Sequence, residues 1–176
     1  MAIISLVKKA KQGDEQAFIQ LFQTYEEEIY RMAFIYLKNA NDAMDVVQET
    51  AYKSFKTLSK LKEPRYFKTW LIRIAINCSI DLLRQRKKVV PLFPKYEEIL
   101  FVEEEENVSL TISLQELLNL LKEDEKSVVM LKFYQDYTLQ EIAEVLDIPV
   151  GTAKTILYRS LRKLRKKWKG GDHVGQ

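Results

Sequence analysis

From Asp14 to Leu37 the apolar residues return every three or four positions, through Phe18, Leu21, Phe22, Tyr25, Ile29, Met32, Ala33 and Tyr36. That period belongs to an α-helix with one face turned to a core, and no stretch shows a sustained alternation that would suit a strand. Asn39-Ala-Asn41 interrupts it, and Asn41 or Asp42 can cap the next helix. There Ala43, Val46, Val47, Thr50, Ala51, Ser54, Phe55 and Leu58 form the apolar side. A basic loop with Pro64 follows, and then a third pattern from Tyr66 to about Lys88 turns Phe67, Trp70, Leu71, Ile74, Ala75, Cys78, Leu82 and Leu83 inward. It ends in Arg84-Gln-Arg-Lys-Lys88.

The periodicity then stops. Residues 89–112 hold Pro91, Pro94 and the acidic run Glu103–Glu106, and read as a flexible acidic linker whose apolar residues dock somewhere. Helical patterning resumes at Leu114 and passes through three helices to about Trp168, before a frayed tail over 170–176. The fold class expected is all-α, two small helical domains over 1–88 and 113–169.

Composition narrows the chemistry. One cysteine, Cys78, and one histidine exclude an intrachain disulfide and a Cys/His zinc cage. No apolar run reaches the roughly 18 residues of a membrane span, and the N-terminal apolar stretch is too short for a signal peptide. The expectation is a soluble, cytoplasmic chain. With no nucleotide-binding glycine loop and no convergent carboxylates, no catalytic residue, metal ligand or cofactor is assigned.

The segment Tyr137–Thr155 is the most informative. Thr138 and Glu141 have capping-box spacing, and Ile142, Ala143 and Leu146 face inward with Ile148 as a plug. Asp147-Ile-Pro-Val150 makes a turn, and Thr152, with Gly151 competing, caps the next helix. Ala153, Leu157, Leu161 and Leu164 face its core, leaving Lys154, Thr155, Tyr158, Arg159, Arg162 and Lys163 outward. A short helix, a turn and an exposed basic helix make a helix-turn-helix fit for the DNA major groove.

In the first half, Asp45, Gln48, Glu49, Lys53 and Lys56 form an outward stripe, which periodicity alone reads as a solvated face. The run Lys60–Arg73 interleaves cations with Tyr66, Phe67 and Trp70, the residue mix of a single-strand groove. Trp70 lies on the Ile74 stripe and reads as core, as does Cys78.

Taken together, Asp42-x-x-Asp-x-x-Gln-Glu-Thr50, Phe67-x-x-Trp-Leu-x-x-Ile-Ala-x-Asn77, Tyr137-x-x-x-Glu-Ile-Ala and Gly151-Thr-Ala-Lys154 resemble the extracytoplasmic function (group IV) sigma factors of the sigma-70 family. The resemblance spans about residues 10 to 168. It implies a sigma-2-like domain, a sigma-4-like domain and no enzymatic activity. The implied partners are core RNA polymerase (its beta-prime clamp helices and beta flap), promoter DNA and an anti-sigma factor that can hold the chain at the membrane, with no small-molecule substrate. By alignment, Asp45, Gln48 and Glu49 would bind the polymerase. Leu61, Lys62, Arg65, Tyr66 and Asn77 would capture the melted −10 strand. Thr152, Lys154, Thr155, Tyr158, Arg159, Arg162 and Lys163 would read the −35 duplex. Met44 departs from the family's usual acidic residue, and Lys62-Glu-Pro64 is this chain's own variant of the loop. Outside the family, a dimeric helix-turn-helix regulator would bind duplex DNA alone, and a metal-dependent nuclease would need a carboxylate cluster that the spacing does not provide.

Overall fold

The computed structural model describes residues 2–88 and 116–171, with side chains through 86 in the first stretch and through 167 in the second. The chain divides into two compact units, Met1–Lys88 and Val89–Gln176. Every described element is helical, as the periodicity demands. None of the described helices is long and apolar enough to cross a membrane. The expected linker at 89–112 and most of the tail lie outside the described residues.

In the first unit, helices α1 (Ala2–Lys11), α2 (Glu15–Leu37) and α3 (Ala40–Thr57) are followed by two 3₁₀ turns, Leu58–Lys60 and Pro64–Tyr66, and by α4 (Phe67–Lys88). Helix α2 packs against the other three, so its apolar stripe becomes the centre of the unit. Leu21, Ile29, Phe67 and Leu71 are fully enclosed. The Asp14 side chain caps α2 by accepting from the Ala17 N–H at 3.0 Å. Lys38, at φ 53°, closes it in the left-handed region. Tyr25 lines this core, and burial, aided by the nearby Glu28 charge, raises its phenol pKa.

Four details differ from the sequence reading. Helix α1 was not foreseen: its run is short, yet Val7 and Ala10 are buried in the main core. Helix α3 is capped by Asn39 and by neither Asn41 nor Asp42; Asn39 is extended, and its Oδ1 accepts from the Asp42 N–H at 3.0 Å. Asp42 is instead buried and paired with Arg86, tying the start of α3 to the end of α4. Phe55 keeps 47% of its surface exposed, its ring edge-on to Phe18 at 5.1 Å. On α4 the buried arc is wider than the stripe suggested, since Ile72 and Ile76 are enclosed beside Leu71 and Ala75.

In the second unit a helical turn at 116–119 leads to α5 (Glu123–Phe133), α6 (Leu139–Leu146) and α7 (Val150–Gly171). Residues 125–131 of α5 are buried without a break, so this helix is wrapped on nearly all sides, and both α6 and α7 pack on it. The capping box is present: Thr138 Oγ1 accepts from the Glu141 N–H at 3.2 Å, and Glu141 Oε2 accepts from the Thr138 N–H at 2.7 Å. Ile142, Ala143 and Val145 face inward, and Asp147 ends α6 at φ 54°. Ile148 is only half-buried. Helix α7 begins at Val150, ahead of both caps proposed for it. The Pro149 carbonyl accepts the Ala153 N–H at 3.0 Å, which places Thr152 and Gly151 inside the first turn.

Candidate nucleic-acid interface

The helix-turn-helix presents α7 as a two-faced rod. Ala153, Ile156, Leu157 and Ser160 are buried, and Ser160 disposes of its hydroxyl by donating to the Ile156 carbonyl at 2.7 Å. Opposite them, Thr152, Lys154, Thr155, Tyr158, Arg159 and Arg162 are exposed. Thr155 Oγ1 donates back to the Gly151 carbonyl at 2.9 Å, and Lys154 Nζ sits 5.9 Å from the centre of the Tyr158 ring. These side chains share one accessible face at the start of a long helix, where a groove could receive them.

Two of the predicted residues are differently placed. Arg159 Nε donates to Glu125 Oε1 at 2.9 Å, and its Nη2 reaches Asp124 at 3.3 Å. Lys163, half-buried, donates to both Glu125 oxygens at 2.8 and 3.0 Å. Glu125 is wholly buried and also accepts the Lys122 N–H at 3.0 Å. Burial alone would raise its pKa, but Lys163, the Lys122 N–H and Arg159 outweigh that and hold the carboxyl below its usual value. Arg159 and Lys163 therefore latch α7 onto α5 with part of their hydrogen-bonding capacity. No local pattern marks these acidic residues, because their partners lie 34 to 38 positions away.

In the first unit the basic loop is pinned at its base. Leu61 was expected at a DNA pocket, but its side chain is 6% exposed and belongs to the core with Leu58 and Phe67. An apolar residue between two 3₁₀ turns is more stable turned inward. Lys62, Arg65 and Tyr66 are exposed around it, with the Arg65 guanidinium 4.9 Å from the centre of the Tyr66 ring. That contact keeps a cation and a π face together, as stacked nucleobases require. Asn77 is exposed too, but it lies ten residues into α4, roughly 15 Å along the axis from Phe67. The structure thus exposes Lys62, Arg65 and Tyr66 on one loop, with Arg65 against Tyr66, and places Asn77 further along α4. Trp70 is partly buried against the core, its ring centre 5.8 Å from that of Phe67. Lys68 turns to Glu28 at 3.2 Å.

On α3, Asp45, Gln48 and Glu49 are exposed as predicted. Asp45 and Glu49 line a groove of about 360 Å³ between α3 and α4, with Asp81 and Gln85 on its far wall and Cys78 beneath. Glu49 holds Lys53 at 3.4 Å. Burial pushes the Cys78 thiol up in pKa, against the opposing pull of Lys53 and Thr50. It is the buried thiol that the stripe implied. Sequence reasoning missed the apolar part of this surface: Met44, Tyr52 and Phe55 are 44%, 61% and 47% exposed, at eight- and three-residue steps along the same helix.

Known proteins give this arrangement its context. Residues 21–89 match the family described as Sigma-70 region 2, and residues 111–164 match Sigma-70, region 4. The chain is 33% identical over 157 residues to RNA polymerase sigma factor SigV of Bacillus subtilis, covering 89% of this chain and 94% of that protein. It is also 33% identical over 181 residues to the ECF sigma factor SigW of the same organism, covering 95% and 97%. Among solved structures, CnrH in complex with the cytosolic domain of CnrY shares the fold at a TM-score of 0.75 and 23% identity, covering 97% of this chain and 99% of that one. The sigma factor RpoE of Bartonella quintana, in complex with the anti-sigma factor NepR, does so at 0.65 and 19%, covering 86% and 96%. Two sigma-70 regions in one chain, at this identity and over nearly its whole length, make it a member of the ECF RNA polymerase sigma factors, the transcription initiation factors that direct polymerase to promoters.

Proposed function

We propose that the first unit, residues 1–88, holds core polymerase through α3 and captures the melted −10 strand with the loop before α4, while the second, over 113–169, reads the −35 duplex with α7. The observation that carries this reading is the exposed face of α7, where Lys154, Thr155, Tyr158 and Arg162 stand opposite a buried apolar face. Lys154, Thr155 and Tyr158 lie nearest the helix start and would reach base edges, with Thr152 beside them. Arg162 would meet phosphate, and Arg159 and Lys163 would contribute charge while staying latched to Glu125.

For the −10 element, Tyr66 offers a stacking face while Lys62 and Arg65 offer phosphate contacts, and Leu61 supports them from beneath. Extruding a base costs a few kilocalories per mole, which such contacts must offset. Asn77 would contact the strand separately, three turns along α4. Asp45, Gln48 and Glu49, with Met44, Tyr52 and Phe55, would form the polymerase surface, the beta flap engaging the second unit.

In this reading the chain acts by binding and lends no catalytic group of its own. CnrH and RpoE are each seen with a partner, and we extend that to this chain: an anti-sigma factor would cover these surfaces in the cytoplasm, at the membrane if that factor is anchored. The test is transcription in vitro with purified core polymerase on genomic DNA. Discrete new start sites that require the chain are expected; no initiation at any site rejects the reading.

A further inference from the structure

We infer that α1, which lies ahead of the matched region 2, is a working part of the −10 reader, and that Lys11 is the positioning residue that braces its loop. The inference rests on the proposed −10 role of Lys62, Arg65 and Tyr66. Helix α1 packs against both 3₁₀ turns that flank the loop. Its Val7 and Ala10 share one core with Leu58, Leu61 and Phe67. From its last turn, Lys11 Nζ donates to the Leu61 carbonyl at 2.5 Å, while the Leu61 N–H is taken by the Leu58 carbonyl at 3.1 Å. Both backbone groups of Leu61 are thereby satisfied at the point where the chain leaves the core and Lys62 begins the exposed segment.

An ammonium group on a backbone carbonyl is among the stronger hydrogen bonds a loop can have, and Lys11 is half-buried, which limits competition from water. Reach matters as much as strength. The bond spans 50 positions of sequence, so it fixes the loop to an element that the loop's own turns cannot restrain. A reader of single-stranded DNA gains from such pre-organisation, because ordering the loop at the moment of binding would subtract from affinity.

The test uses holoenzyme made from the full chain and core polymerase, with a short single-stranded DNA selected from a randomised pool by the wild-type holoenzyme. Tyr66→Ala and Lys11→Met are each expected to weaken binding roughly tenfold. Lys11→Arg, which keeps a cationic donor, is expected to restore most of it. Hydrogen exchange on the same samples should show faster amides over 58–66 in Lys11→Met, with α2 and α3 unchanged. Wild-type affinity and exchange in Lys11→Met, beside a weakened Tyr66→Ala, would overturn the brace while sparing the −10 reading. Faster exchange throughout the unit without rescue by arginine would also overturn it, as a fold-wide effect. If Tyr66→Ala binds normally, the −10 reading itself fails and takes the brace's role in binding with it.

Discussion

Glu125 shows what a single side chain can decide that its neighbours in sequence do not reveal. It is wholly enclosed, yet its carboxylate accepts from Lys163, Arg159 and the Lys122 N–H. Replacing it with Gln keeps the shape and removes the charge. The expected loss is about 1–2 kcal/mol of second-unit stability by denaturant titration, modest because the Arg159 and Lys163 side chains are 47% and 39% exposed and can rehydrate. The pH response follows from a carboxyl whose folded pKa is depressed. Its contribution is complete above the ordinary value near 4.5 and disappears as pH falls through the lower folded value. The Glu125→Gln variant should therefore lose this part of its acid sensitivity, and parallel stability curves for the two proteins below pH 4.5 would refute the assignment. In the sequence Glu123-Asp-Glu125 is a run of carboxylates in which nothing marks one above the others. Only folding singles out one of them, because the choice depends on what α7 brings from more than thirty residues away. Leu61 is the converse: the resemblance implies a place beside a DNA pocket, and in the structure its side chain is turned into the core, as leucine's apolar surface favours.

Elements were far more legible. Helix periods, the Thr138–Glu141 capping box and the break after Leu37 are local facts, written into spacings of three and four residues. Thr138→Ala should accordingly cost about 1 kcal/mol, read as a lower Tm of the second unit. What escaped is what depends on partners in space: α1 is too short to announce itself, and Asn39 outcompetes Asn41 because the left-handed Lys38 fixes where α2 ends. The start of α7 moved for a similar reason, since the Pro149 carbonyl can serve the first turn without any side-chain cap. On α3, Gln48 and Glu49 are exposed, and Glu49 makes a weak pair with Lys53. Changing both to Lys should leave helicity by circular dichroism unchanged. It should lower affinity for core polymerase at least tenfold, through charge reversal at an interface. Tyr52→Ala should lower it as well, because an aromatic 61% exposed beside those groups has the makings of an interface anchor. Equal affinity in both variants would move the polymerase surface off α3.

At the scale of the whole molecule, a formal net charge of +3 sets the terms of DNA binding. It is an average over basic stretches at Lys60–Arg73, Arg84–Lys88 and Arg159–Lys169, and acidic ones at Glu97–Glu106 and Glu123–Glu125. Within the second unit the latch commits Arg159 and Lys163 of α7 to Glu125 and Asp124, so on the face proposed for DNA the cations outside the latch are Lys154 and Arg162. Each phosphate neutralised contributes roughly −0.9 to the slope of log affinity against log salt. With three or so contacts the free chain should bind a −35 duplex weakly, with a slope of about −3. Removing one negative charge beneath the helix, as in Glu125→Gln, should steepen it. The holoenzyme differs because polymerase would hold both units against one promoter, so that two weak contacts act at high effective concentration. That coupling depends on geometry. Inserting about 5 base pairs between the −35 and −10 elements turns one away from the other by half a helical turn. Transcription by the holoenzyme should then collapse, while the affinity of the free chain for a duplex carrying both elements stays the same. If both fell together, the two units would be acting as one rigid reader; if neither fell, only one of the two patches would be reading DNA.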